Sequence, residues 1–175
     1  MPHIIEAYKY CPSCAGALLP VDNFRECGTC GFKVFFNPTF NASVIFRDLQ
    51  GRVMLSWRTK GPITDCWQLN GGFVDPNEEP VDAAARHANR ELGIPVNPQS
   101  LVITTSLAET YEYQGFTRDI VCEYYLCLQP ITEAAMPQTT EESGEVRFFS
   151  QGEIPWESIG YESDKRALRA LLNIG

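Results

Sequence analysis

The stretch LNGGFVDPNEEPVDAAARHANRELGI, residues 69–94, joins a Gly-Gly turn to a short charged helix. Pro80 suits the first helical position, where its missing N–H would have no partner, and Asp82 sits well beside the positive helix N-terminus. Gly93 followed by Pro95 is a stop signal, so the helix is expected from about Pro80 to Leu92. Val81, Ala84, Ala85, Ala88 and Leu92 recur at three- and four-residue spacing, an apolar stripe fit to dock on a sheet with the small alanines allowing close approach. His87, Arg90 and Glu91 share another face, because positions three and four apart are neighbours on a helix. Charged helix faces are most often solvated, and that is the plain expectation for His87 and Arg90.

Upstream, two cysteine pairs each enclose two residues, Cys11/Cys14 and Cys27/Cys30, with twelve residues between the pairs. Pro12, Gly28 and Gly31 favour tight turns, so that four thiolates can point at one centre about 2.3 Å away and close a tetrahedral shell. With no position left open, the expected ion is a structural zinc, and the segment reads as a ribbon too small to fold on its own core. Cys66, Cys122 and Cys127 fall outside this pattern and read as buried small apolar residues. The odd separation of Cys122 and Cys127 puts them on opposite faces of a strand and argues against a disulfide.

Pro38 marks the boundary, giving a ribbon over 1–37 and a larger domain over 38–175. NASVIFRD and RVMLSWR read as strands joined by the turn-rich DLQG, and a hairpin is expected. CWQLNGGFV is a short strand running into the Gly-Gly turn. Beyond the helix, LVITTSLAE, TRDIVCEYYLCLQ and EVRFFSQ read as strands, with Tyr111, Tyr113 and Phe116 in the turn between the first two. AAMPQTTEESGEVRFF is polar and turn-rich, and the chain closes on a helix with apolar spacing at Leu168, Leu171 and Leu172, expected against the sheet edge.

The central stretch resembles the Nudix box: a glycine, five residues, a glutamate, seven residues, Arg-Glu, an aliphatic residue, any residue, Glu-Glu, any residue, glycine and an aliphatic. Gly72, Glu78, Arg86, Glu91, Gly93 and Ile94 match in one register, whereas His87 and Arg90 stand where the family has glutamates. With the ribbon and the WQLNGGF run in the family's order, the resemblance is to the Nudix branch that carries a four-cysteine ribbon, and it covers nearly the whole chain. It implies an α/β/α sandwich with a mixed sheet preceded by a small zinc ribbon. It also implies pyrophosphohydrolase activity on a nucleoside diphosphate linked to another group, such as ADP-ribose, with Mg²⁺ or Mn²⁺ held by helix carboxylates against the diphosphate.

By the same resemblance Gly72 and Gly93 shape the backbone, and Glu78 and Arg86 tie loop to helix. Glu91 is the one metal-side carboxylate left, a weak Mg²⁺ ligand. Arg90 beside it repels a divalent ion, while His87 and Arg90 together could hold a phosphate without metal. Phe73 and Tyr113 are substrate-side aromatics, and Glu142, or Glu141 beside it, is the candidate water-activating base. Hydrolysis is therefore expected to be weakened. Two alternatives stand: a nucleotide or diphosphate sensor without turnover, and a scaffold whose ribbon binds a partner. SLAETYEYQGF lacks the Pro- and Trp-rich signature of the family's NADH-cleaving branch.

Composition sets the outer bounds. At 175 residues with 44% hydrophobic content, the chain can build one well-cored domain and a small appendage. A net charge of -8 argues against a nucleic-acid backbone or an anionic membrane as partner and suits a nucleotide-like small molecule. No run reaches membrane-span length and residues 1–10 lack a signal-peptide core, so a cytoplasmic protein is expected. The reading leaves room for a homodimer. There is no Gly-x-Ser-x-Gly elbow and no phosphate-binding loop ending Gly-Lys-Ser/Thr, and only His3 and His87 could serve as a nucleophile's base.

Overall fold

The computed structural model describes residues 1–132, 135 and 143–174. It divides into two compact units, Met1–Thr39 with Thr110–Ile120, and Phe40–Glu109 with Val121–Gly175.

In the first unit, β1 (Leu18–Val21), β2 (Phe24–Cys27) and β3 (Lys33–Phe35) form an antiparallel meander. Leu18 stands opposite Cys27 and Glu26 opposite Lys33. Its buried apolar cluster is Cys11, Leu18 and Cys27, with half-buried Val34 against them. Two of those three residues are candidate metal ligands, so hydrophobic burial alone does not offset the entropy of ordering this segment. The N-terminal segment is tied down by Arg25, whose Nε donates to the Ile5 carbonyl at 2.7 Å, and by the Thr117 N–H, which donates to the Pro2 carbonyl at 2.9 Å.

Residues 110–120 are the tip of the hairpin between β8 (Leu101–Tyr113) and β9 (Phe116–Cys127). Gln114 and Gly115, at φ 51° and 81°, make the whole turn. Two positive-φ residues match the twist of the flanking strands, so the strands run further than expected and Tyr111 and Tyr113 lie on β8, not in a loop.

The second unit is an α/β fold. One sheet has the order β7-β4-β9-β8 and includes β4 (Thr39–Ile45) and β7 (Asn70–Phe73); the other has the order β10-β5-β6, built from β5 (Val53–Arg58), β6 (Cys66–Gln68) and β10 (Ser143–Phe149). The expected β4–β5 hairpin forms only at its turn. Asp48 Oδ1 accepts from the Gln50 and Arg52 N–H groups at 3.0 and 2.8 Å, and the Met54 N–H reaches the Phe46 carbonyl at 3.0 Å. Past that point the strands part, β4 pairing with β7 and β9, and β5 with β6 and β10.

Helix α1 (Pro80–Leu92) buries Ala83, Ala84, Ala85, Ala88 and Leu92 against Ala42, Val44, Phe46, Met54, Tyr125 and Cys127. Gly93 ends it at φ 65°, a left-handed conformation that costs glycine little, and its N–H returns to the Asn89 carbonyl at 2.9 Å. Helix α2 (Glu162–Leu172) buries Ala167 and Leu168 but also Ser163 and Asp164, which bond to Tyr124. Tyr124 and Tyr125 are neighbours on β9 and so point to opposite faces. Their partners, α2 and α1, therefore lie on opposite sides of the sheet, which makes the layering α/β/α. Cys122 and Cys127 are both buried and unbridged. No described helix is long and apolar enough to cross a membrane.

Candidate functional site

The loop between β7 and α1 is held by a fork. Arg86 Nε donates to Glu78 Oε1 at 2.7 Å and Nη2 to Oε2 at 2.6 Å, while the Asp75 N–H donates to Oε2 at 2.9 Å. Two parallel charge-assisted bonds fix distance and plane together. The Arg86 bond, against the opposing effect of burial, draws the Glu78 carboxyl down to about 2. A carboxylate with a depressed folded value contributes stability that is present above about 4.5, its unfolded value, and lost as pH falls through about 2. Glu78→Gln is therefore expected to lower stability at neutral pH, by on the order of 2 kcal/mol after solvent screening. The gap between variant and parent should close as pH falls below 4.5. Thermal melts across that range check it; a gap independent of pH would refute the fork's ionic role.

Behind the fork sits His87. Its exposure is 3% and that of Glu91 is 5%, so the expected solvated face is corrected: only Arg90 is half-exposed. The reason is Gly72. A Cβ there would lie 2.3 Å from His87 Cε1, and its absence lets the imidazole lie flat on β7. His87 Nε2 stands 3.0 Å from the Phe73 carbonyl, which only accepts, so Nε2 carries the proton. Nδ1 then accepts from Arg90 Nη2 at 3.0 Å. Arg90 Nη2 also donates to Glu91 Oε1 at 2.8 Å, and Asn70 Nδ2 reaches Oε2 at 3.4 Å. Both oxygens of Glu91 are thus partnered within the protein.

This donor set does not fit Mg²⁺ or Mn²⁺. Such an ion seeks several oxygen ligands, whereas here one buried carboxylate faces a guanidinium. Among the described residues, the only group of three or more His, Cys, Asp or Glu ligand atoms within 4.8 Å of one another is Cys11, Cys14, Cys27 and Cys30. There Sγ of Cys14 stands 3.5 Å from Cys27 and 3.4 Å from Cys30, and Cys11 stands 3.7 Å from Cys30. Four sulfurs at about 2.3 Å from one ion would be about 3.8 Å apart, so the set fits a tetrahedral metal. The N–H groups of Ser13 and Thr29 donate to Sγ of Cys11 and Cys27, both at 3.4 Å. Backbone N–H groups of Cys30 and Thr29 draw Cys27 down to about 6. At Cys14 the Gly16 N–H acts in the same direction but is outweighed by neighbouring thiols, which push it up to about 12. Four thiolates repel one another unless a cation shares them.

Of the other residues singled out in the sequence, Phe73 lies at the end of β7 with its ring part-exposed. Tyr113 belongs to the first unit, stacked on Tyr111 at 6.4 Å between ring centroids. Glu141 and Glu142 lie outside the described residues. Two features escaped the sequence reading. Nothing marked Asn70, but Asp164 had a signal: it falls on the apolar stripe of α2, four residues before Leu168.

The NUDIX domain family matches residues 37–171. A NUDIX hydrolase from Nitrosomonas europaea is similar at 24% identity and TM-score 0.62, over 92% of this chain and 88% of that one. A C. elegans Ap4A hydrolase aligns at 20% identity and TM-score 0.57 over 77% of this chain and 96% of that one. A bifunctional NMN adenylyltransferase/ADP ribose pyrophosphatase from Francisella tularensis aligns at 16% identity and TM-score 0.61, over 79% of this chain and 42% of that one. No curated protein matches the chain.

Proposed function

The chain belongs to the Nudix family, and from that membership we propose that its 38–175 domain acts on a nucleoside diphosphate linked to a second moiety, an ADP-ribose-like compound, with weakened hydrolysis. The observation that carries this reading is the engagement of Glu91 by Arg90 at 2.8 Å. Where the family pattern has glutamates, this chain offers a cation and a buried imidazole, and neither recruits a hard divalent ion. Gly72, Gly93 and the Glu78–Arg86 fork serve the backbone, Phe73 the base, and Glu142 the attacking water. The 1–37 ribbon holds a structural zinc, and the free cysteines call for a reducing compartment, the cytoplasm.

A second reading is favoured by the half-exposed Arg90: the site binds the diphosphate and does not turn it over. A guanidinium paired with a carboxylate can shift onto an incoming phosphate, which offers it the same bidentate geometry. A third reading keeps the ribbon as a partner-binding surface.

A panel of nucleoside-diphosphate compounds with Mg²⁺ and Mn²⁺, read beside thermal shift, separates these. Expected are slow turnover, on the order of 10²-fold below a relative with the full carboxylate set, and stabilisation by ADP-ribose that Arg90→Glu abolishes. Rapid Mg²⁺-dependent turnover by the unmodified chain would overturn the proposal. Stabilisation with no turnover selects the second reading. Absence of any ligand response selects the third, checked by loss of partner binding in Cys27→Ser.

A further inference from the structure

Away from α1, the second unit lines up four polar side chains, of which Asp164, Tyr124 and Ser163 are buried and Glu109 is half-buried. Asp164 Oδ1 and Ser163 Oγ each stand 2.8 Å from the Tyr124 hydroxyl oxygen, and Ser163 Oγ in turn meets the Glu109 carboxylate. These three oxygen–oxygen contacts need one proton each, and the two hydroxyls bring two. With both acids ionised, one contact is a bare oxygen pair. A third proton completes a one-way chain in which Asp164 donates to Tyr124, Tyr124 to Ser163 and Ser163 to Glu109.

Asp164 is the natural holder of that proton. Burial pushes its carboxyl up to about 7, against the Leu69 N–H and the Tyr124 hydroxyl, which favour the charge. Glu109 on β8 also raises it, and Arg58 on β5 lowers it. Cys122 on β9 and Cys66 on β6 also face it, both with thiols raised by burial and therefore uncharged at neutral pH.

The far oxygen of Asp164 points toward the candidate site. Oδ2 accepts from the Leu69 N–H at 2.9 Å, and the next residue, Asn70, carries the amide that meets Glu91. The Gly160 N–H donates to the Trp67 carbonyl at 3.0 Å, so the segment before α2 holds the same strand a second time. We propose that Asp164 is a positioning residue of the candidate site: through Leu69 it fixes the β6–β7 junction, and so sets the Asn70 amide against Glu91, with the chain to Glu109 making that hold depend on one proton. This rests on Glu91 being the surviving carboxylate of the site. A folded value raised above the usual 3.8 means that the stability Asp164 contributes is full at low pH and is lost as pH rises through about 7, where ionisation leaves one contact of the chain a bare oxygen pair.

The test follows the Asn70 side-chain amide by ¹⁵N–¹H NMR from pH 5.5 to 8.5, and needs no substrate, so a chain that hydrolyses nothing still decides it. In the unmodified protein the Asn70 signals are expected to move with a midpoint near 7. In Asp164→Asn, which keeps the shape of the protonated acid, that transition should vanish. Tyr124→Phe removes a donor that favours the charged form, so the midpoint should rise. Should Asp164→Asn fail to fold, the Tyr124→Phe midpoint decides alone. A pH-insensitive Asn70 amide, a transition retained in Asp164→Asn, or an unmoved midpoint in Tyr124→Phe would each overturn the proposal.

Discussion

Stripping the four-cysteine cluster of its ion, by chelation or by Cys27→Ser, is expected to unfold β1, β2 and β3. The meander's buried apolar cluster is Cys11, Leu18 and Cys27, and without an ion two of those three are thiols that bury little apolar surface. Zinc bound to four thiolates supplies on the order of 10 kcal/mol to such a segment, more than its packing can replace. The expected result is one zinc per chain. On chelation, the dispersed amide signals of residues 11–35 should collapse and return when zinc is restored. A ribbon whose signals survive chelation would show that packing, not the ion, holds it.

The double variant His87→Glu/Arg90→Glu is expected to reverse the character of the site. It removes the guanidinium that pairs with Glu91 at 2.8 Å and places three carboxylates on one helix face. Without metal that cluster is self-repelling and lacks the bond from His87 to the Phe73 carbonyl, so the variant should be less stable than the parent. With Mg²⁺ or Mn²⁺ it should regain about 2.7 kcal/mol at a hundredfold excess over the dissociation constant. Turnover of ADP-ribose should rise on the order of 10²-fold. Thermal melts with and without metal, beside initial rates, check both. If metal neither stabilises the variant nor raises its rate, the site has diverged beyond these two positions.

Much of this was legible in the chain because local chemistry specified it. Pro80 and Gly93 bound α1 at the residues expected, since one residue has no N–H to lose and the other tolerates φ 65°. The paired cysteines converge because short turns leave them no other direction to point. What the pattern missed was decided by contacts distant in sequence. His87 looked like part of a solvated face, and its burial depends on the missing side chain of Gly72, fifteen residues earlier. The β4–β5 hairpin opened because each strand found better partners elsewhere. Asp164 meets Leu69 and Tyr124, a set that no spacing rule within one helix could assemble.

Glu91 is held by Arg90 and Asn70 and is not available to a divalent ion. Titrating Mn²⁺ into the unmodified protein, with the ribbon zinc in place, and watching paramagnetic broadening at Glu91, Asn70 and His87 tests it most directly. No broadening centred on these residues is expected at Mn²⁺ concentrations that saturate the His87→Glu/Arg90→Glu variant. Selective broadening of Glu91 in the unmodified chain at those concentrations would contradict it.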